Sequence, residues 1–166
     1  MIRDVADSDS ADIAAIYNHY VANTTATFEE ELVDDFQMSS RIDKIISSGM
    51  PWLVAEEDGR VCGFAYAKFW HDRSAYRHTV EVTIYVSPTA GLKGVGSRLY
   101  SQLFDRLQAL NIHCAIAVVT LPNPPSVAIH EKFGMEKSGH FREVGLKFGQ
   151  WLDVGYWTVH FDLNGQ

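Results

Sequence analysis

The chain has only two cysteines, Cys62 and Cys114, and five prolines in 166 residues. Two thiols so far apart match no zinc signature, and both sit in apolar runs, where cysteine behaves as a small hydrophobe. The seven histidines form no H-E-x-x-H or similar pattern, so no metal is expected. Basic charge is scarce: 14 Lys and Arg against 21 Asp and Glu give a net charge of −7. A general nucleic-acid binder needs basic surface to displace counterions, so nucleic acid is not an expected partner. No apolar run approaches the ~18 residues of a membrane span. The opening "MIRDVADSDSADIAAIY" lacks the basic-then-apolar shape of a signal peptide. The expectation is a cytoplasmic protein that does not engage a membrane. "NTT" at Asn23 matches a glycosylation sequon, which carries no weight without a secretion signal. No repeat, low-complexity tract or linker interrupts the chain, so residues 1–166 read as one domain.

What is present alternates helical and strand patterns. Asp9 or Ser10 caps a helix with Ile13, Ile16, Tyr17 and Tyr20 at helical spacing. "VANTTATF" breaks the pattern as a loop. A second helix is predicted from Asp35 to Ser48, ending at Gly49. "PWLVAEEDGRVCGFAYAKFW" reads as a hairpin turning at Asp58-Gly59, followed by the polar loop "HDRSAYRH". "TVEVTIYV" is a strand ended by Pro88. The next helix buries Leu99, Tyr100, Leu103, Phe104, Leu107 and Leu110. "HCAIAVVT" reads as a fully buried strand. "NPPSVAIHEKFG" is a short helix with prolines in its first turn and Gly134 at its end. "MEKSGHFREV" and "DVGYWTVHFDL" are closing strands. The order gives a mixed α/β sheet flanked by helices.

The unusual stretch is "GLKGVGSRLY", three glycines within six residues just before a helix. A helix start presents unpaired N–H groups and partial positive charge. A loop without side chains lets an anion reach them, so Gly91 to Ser97 reads as a phosphate cradle or as a tight strand-to-helix turn. A Walker loop needs Lys and then Ser or Thr after its last glycine, whereas Gly96 is followed directly by Ser97. A Rossmann fingerprint needs glycine where this chain has Leu99.

"GLKGVG" resembles the acetyl-CoA motif of the GNAT acetyltransferases: Arg or Gln, two residues, Gly, one residue, then Gly or Ala. Gly91 stands in the Arg/Gln place, so the anion depends more on backbone N–H groups and Lys93. "NPPSVAIHEKFGM" resembles that superfamily's second signature. "IYNHYVANTTATFEEE", "YRHTVEVTIYV" and "REVGLKFGQWLDVGYW" extend the resemblance to the phosphinothricin acetyltransferase group over nearly the whole chain. The resemblance implies a GNAT fold with a mostly antiparallel sheet. It implies acetyl transfer from acetyl-CoA to the α-amine of phosphinothricin, methionine sulfone or methionine sulfoximine, in a homodimer. Acetyl-CoA would lie against Tyr85, Val86, Leu92, Lys93, Gly94, Val95, Gly96, Ser97, Asn123, Ser126 and His130. Other readings are a GNAT enzyme for a polyamine, an aminoglycoside or a protein N-terminus, and a CoA-binding module without catalysis.

An amino acid's amine is mostly protonated at pH 7, and only the free base attacks. The site therefore needs a proton acceptor. Strand alternation separates Glu81, Thr83 and Tyr85 from Val80, Val82, Ile84 and Val86. A carboxylate in so apolar a strand is costly unless paired or used. Glu81 is thus a candidate base, or an exposed or salt-bridged carboxylate, and the resemblance also places a glutamate base here. His130 takes the place of a GNAT tyrosine that protonates the leaving thiolate; contact with acetyl-CoA and core packing are its other readings. The N–H of Val86 resembles the amide that polarises the acetyl carbonyl. Asn123 bonds the pantetheine arm or caps the next helix. The acceptor's carboxylate needs a cation, for which Arg73, Arg77 and Arg142 are candidates, with Phe28, Trp70, Tyr76 and Thr79 as walls. "REVGLKFGQWLDV" also suits a subunit interface.

Overall fold

The computed structural model describes residues 1–91 and 93–162. Seven strands form one sheet in the order β1-β2-β3-β4-β5-β7-β6. They are β1 (Ile2–Asp4), β2 (Trp52–Glu57), β3 (Arg60–Phe69), β4 (Thr79–Val86), β5 (Cys114–Leu121), β6 (Glu136–Lys147) and β7 (Gln150–His160). The helices are α1 (Ser10–Asn23), α2 (Asp35–Ser47), α3 (Val95–Ala109) and α4 (Pro124–Lys132). Every strand pair is antiparallel except β4–β5. This is the mixed, mostly antiparallel α/β architecture expected from the sequence.

The sheet separates two apolar layers. On one face Leu99, Leu103 and Leu107 of α3 pack on Val80, Val82 and Ala115, with Val127 and Ile129 of α4 at the margin. On the other, Ile13 and Ile16 of α1 and Met38 and Ile42 of α2 cover Trp52, Val54 and Phe64. The alternation along β4 holds: Val80 and Val82 enter the first layer, while Tyr85 reaches the second. The hairpin turn at Asp58 and Gly59 has φ of +50° and +77°, the paired left-handed residues of a tight β-turn. The start of α2 is a capping box, with Asp34 accepting from the Gln37 N–H and Gln37 accepting from the Asp34 N–H.

Some expectations change. The sequence reading omitted β1, whose Arg3 pairs with Asp9 and Glu56 at 2.7 Å each. That pairing occupies the Asp9 carboxylate, which also accepts the Ala6 N–H, so Asp9 precedes α1 without bonding its first turn. Leu110 is 45% exposed because α3 ends at Ala109. β5 is buried on one face only, and Val118 opens onto a cleft. Cys62 is buried but Cys114 only half-buried. The first closing strand runs longer than predicted, the second starts and ends earlier, and the two meet at a turn at Phe148 and Gly149, both left-handed.

Candidate active site

The parallel partners β4 and β5 share only three register pairs, Thr79–Cys114, Val80–Ala115 and Glu81–Ile116. Beyond them the strands part, and a cleft of about 850 Å³ opens between them. The Ser87 N–H donates to the Cys62 carbonyl of β3 at 2.8 Å. Antiparallel alternation then turns the peptide groups of Val82, Ile84 and Val86 off the other edge of β4, toward the gap. The Val86 carbonyl accepts the Tyr20 hydroxyl at 2.5 Å. The sequence reading of Val86 therefore lands on a backbone that faces the cleft.

Below the end of β4, a second cavity of about 390 Å³ lies between the start of α3 and α4. Gly94 has φ of +77° and leads into α3. A Cβ at Gly96 would come within 2.9 Å of the Ile129 side chain, so glycine permits the two helices to approach. Val86, Gly94, Val95, Gly96 and Ser97 line this cavity. Lys93 does not line it, and Leu92 lies outside the described residues. Its cation is Lys132, whose Nζ donates to Ser97 Oγ at 2.9 Å. Lys132 was not among the expected site residues, although it lies in the last turn of the helix carrying the second signature. Helix N–H groups and one ammonium around a side-chain-poor hollow fit a pyrophosphate. A side chain at position 91 would crowd the Glu57 carboxylate at 3.2 Å, which gives a local reason for Gly91.

Asn123 Oδ1 accepts from the Ser126 N–H at 3.3 Å, so this side chain caps α4 while lining the cleft. His130 is only 4% exposed. Its Nδ1 lies 2.5 Å from the Ser126 carbonyl, which can only accept, so Nδ1 carries the proton. Its Nε2 therefore accepts the Tyr100 hydroxyl at 2.8 Å. Burial lowers the His130 pKa below its ordinary value, opposed by the Ser126 bond. Both ring nitrogens of a neutral imidazole are engaged. The general-acid reading of His130 thus meets a ring with no proton to spare, and the packing reading fits the geometry.

The end of the cleft beside Glu81 lies where β3, β4, α1 and α2 meet. Lys68 and Glu81 face each other across β3 and β4, with Nζ and Oε1 at 3.4 Å. Glu81 remains partly open to the cleft. The loop after α1 supplies Thr24 to Glu29, including Phe28. Arg41 of α2 grips Glu29 with two bonds, 2.8 and 2.5 Å long, and holds its carboxyl below the usual range. The Tyr17 hydroxyl contacts Thr27 and donates to Glu29. Burial, reinforced by the Glu29 carboxylate, pushes the Tyr17 pKa upward.

The proposed arginines do not line this cleft. Arg73 precedes the 3-10 turn Ser74–Tyr76, Arg77 donates to the Ser74 carbonyl at 3.0 Å, and Arg142 lies exposed on β6. Trp70 packs edge-on against Tyr156, Tyr76 packs against His71, and Thr79 sits at the closed end of β4–β5. The "HDRSAYRH" loop lies outside the cleft because β4 pairs with β5 at that end. Arg41 and Lys68 are the cations at the cleft wall. Among the described residues, no group of three or more His, Cys, Asp or Glu is placed to hold a metal. Among the described residues, no helix is long and apolar enough to cross a membrane.

A family model described as "Acetyltransferase (GNAT) family" matches residues 13–135. The phosphinothricin N-acetyltransferase of Streptomyces viridochromogenes is 39% identical over 168 residues, covering 98% of this chain and 88% of that protein. The L-methionine sulfoximine/L-methionine sulfone acetyltransferase of Pseudomonas aeruginosa is 36% identical over 97% of this chain and 94% of its own length. The crystal structure of a phosphinothricin acetyltransferase from Sinorhizobium meliloti in complex with AcCoA superposes with a TM-score of 0.93 at 38% identity, covering 97% and 88% of the two chains. A split sheet, a glycine-led helix and a glutamate at the split are thus found in a chain with acetyltransferase relatives along nearly its whole length, and the chain belongs to the GNAT family of acetyltransferases.

Proposed function

We propose that the chain transfers the acetyl group of acetyl-CoA to the α-amine of an amino-acid analogue such as phosphinothricin, methionine sulfone or methionine sulfoximine. The observation that carries this reading is Glu81, partly open to the cleft at the point where β4 and β5 part. The pyrophosphate would rest on the start of α3 beside Lys132, and the pantetheine arm would run along the free edge of β4 past Ser126. Glu81 accepts the proton of the ammonium, directly or through water, and the free amine attacks the thioester carbonyl. The C–N bond forms and the C–S bond breaks; CoA departs as thiolate and takes up the second proton, which nitrogen sheds as the amide forms. A thiol pKa near ~8.5 makes that leaving group good without an acid. The N–H of Val86, fixed in direction by β-sheet geometry, stabilises the developing oxyanion. Arg41 and Lys68 offer positive charge to the acceptor's carboxylate and its sulfone or phosphinate.

Two further proposals concern setting. Phe141, Val144, Leu146, Phe148 and Trp151 are each more than half exposed on the β6–β7 hairpin. An apolar patch of that kind suits a second copy of the chain, making a homodimer. Sedimentation should show a dimer that Trp151→Glu converts to monomer. The free thiols Cys62 and Cys114 suit the cytoplasm.

The test is CoA release from acetyl-CoA with phosphinothricin, methionine sulfone, methionine sulfoximine, spermidine and an N-terminal peptide. Turnover of the first three, reduced about 10²-fold or more by Glu81→Gln at neutral pH, is expected. Turnover of spermidine or peptide alone would overturn the acceptor class. Acetyl-CoA binding without turnover of any amine would point to a binding module.

A further inference from the structure

The α1–α2 loop forms one wall of the cleft, and its anchors fall on two sides. On the helix side, Asn18 bonds both backbone groups of Val33, Tyr17 holds Thr27 and Glu29, and Arg41 holds Glu29. The opposite side faces β6. There the strand alternates sharply: Val144 and Leu146 point outward, while Gly145 and Lys147 point inward and are buried. Lys147 is 1% exposed, and its ammonium donates to the Thr27 carbonyl at 2.8 Å. Two residues back, a Cβ at Gly145 would fall inside the Phe28 ring. The hairpin thus grips consecutive residues of the loop, by a bond to Thr27 and by a hollow for Phe28.

A buried ammonium with a carbonyl as its bonding partner is a poor choice for stability alone. Its desolvation is costly, and an apolar side chain of similar volume commonly matches or improves on such a charge. Part of that cost is offset by the nearby carboxylates of Glu30 and Glu29 and by the Phe148 ring, 5.1 Å from Nζ. What methionine could not supply is a directed bond to the Thr27 peptide. That peptide matters because Thr27 and Phe28 line the cleft near Glu81.

We propose that Lys147 is a positioning residue for the acceptor amine, which acts through the Thr27 carbonyl, with Gly145 as its companion, to hold Phe28 in the acceptor wall. It touches neither substrate. It determines how well the wall is formed before the acceptor arrives, and so acts on acceptor affinity rather than on acetyl-CoA. This rests on the acceptor reading above, so the test includes a measurement independent of turnover.

Lys147→Met and Lys147→Gln should keep the fold and bind acetyl-CoA as the parent does. Amide hydrogen exchange across residues 26–30 should quicken about tenfold or more in both, with α3 unchanged. With an acceptor that the parent turns over, the acceptor KM should rise about tenfold while the acetyl-CoA KM stays fixed. Unchanged exchange at 26–30 would overturn the proposal whatever the acceptor proves to be. A melting temperature lowered by more than about 8 °C in both variants would overturn it in favour of a folding role. Quickened exchange in an enzyme inactive on every amine tested would uphold the clasp and count against the acceptor assignment alone.

Discussion

The Tyr20 hydroxyl of α1 donates to the Val86 carbonyl of β4 at 2.5 Å, tying a helix on one face of the sheet to the strand end that borders the cleft. The bond fixes the plane of a peptide that β-pairing leaves free on that side. It also makes Tyr20 part of the site, although its helical spacing marks it only as a core residue.

Tyr20→Phe should lower kcat by about tenfold, less than loss of a direct oxyanion donor, because it loosens the Val86 region without removing the Val86 N–H. The acetyl-CoA KM should stay within a factor of about two, since phosphate contacts are untouched. Steady-state kinetics with both substrates varied would show this split. Equal loss through KM would assign Tyr20 to binding instead.

Lys68→Met should cost little stability. The Lys68–Glu81 pair is 3.4 Å long with the lysine about half exposed, and such pairs contribute about 0–1 kcal/mol. Its effect should appear in the acceptor KM, raised about five- to tenfold for a zwitterionic acceptor and much less for one lacking a carboxylate. Urea denaturation and the two KM values together check this. An equal rise for both acceptors would remove Lys68 from carboxylate recognition.

His130 should make the protein sensitive to acid. Its folded-state pKa lies below the ordinary 6.5 because burial disfavours the cation. The unfolded chain therefore binds the proton first as pH falls. The stability that the neutral ring contributes is present above about 6.5 and is lost as pH drops through the folded value. His130→Gln should be less stable at pH 8 but show a flatter decline below pH 6.5. Denaturant midpoints measured from pH 8 to pH 5 would display the two slopes, and parallel slopes would refute the assignment.

Lys132→Met should weaken CoA about tenfold and leave pantetheine binding unchanged, since only the former brings phosphates to the start of α3. Calorimetric titration of both ligands is sufficient. Equal losses would place Lys132 elsewhere in the binding path.

Local chemistry made much of this legible. The left-handed pair Asp58-Gly59, the apolar stripe of α3 and the alternation of β4 are recorded in neighbouring residues, and each appears in the fold. The cations at the cleft wall were not legible for the opposite reason. Arg41 and Lys68 lie 27 residues apart on α2 and β3 and reach one cleft only because α2 covers the face of the sheet that β3 presents there. Arg73 and Arg77 look better placed in sequence, yet the pairing of Thr79 with Cys114 closes the sheet beside them. Lys147 reads as an ordinary surface lysine until the left-handed Glu143 and the register shift after Phe141 set which face of β6 turns inward.

The short join between β4 and β5 has a mechanical side. Seven register pairs bind β3 to β4 and eight bind β5 to β7, but three hold the middle of the sheet. Strands β1–β4 and β5–β7 are therefore two stiff plates meeting along a seam, with the free peptide edge of β4 exposed beyond its last stitch. Any occupant with amide groups of its own, laid along that edge, adds rungs where the ladder stops. Filling the gap then knits the plates into one, and resistance to shear and to hydrogen exchange along Val82–Val86 rises with occupancy.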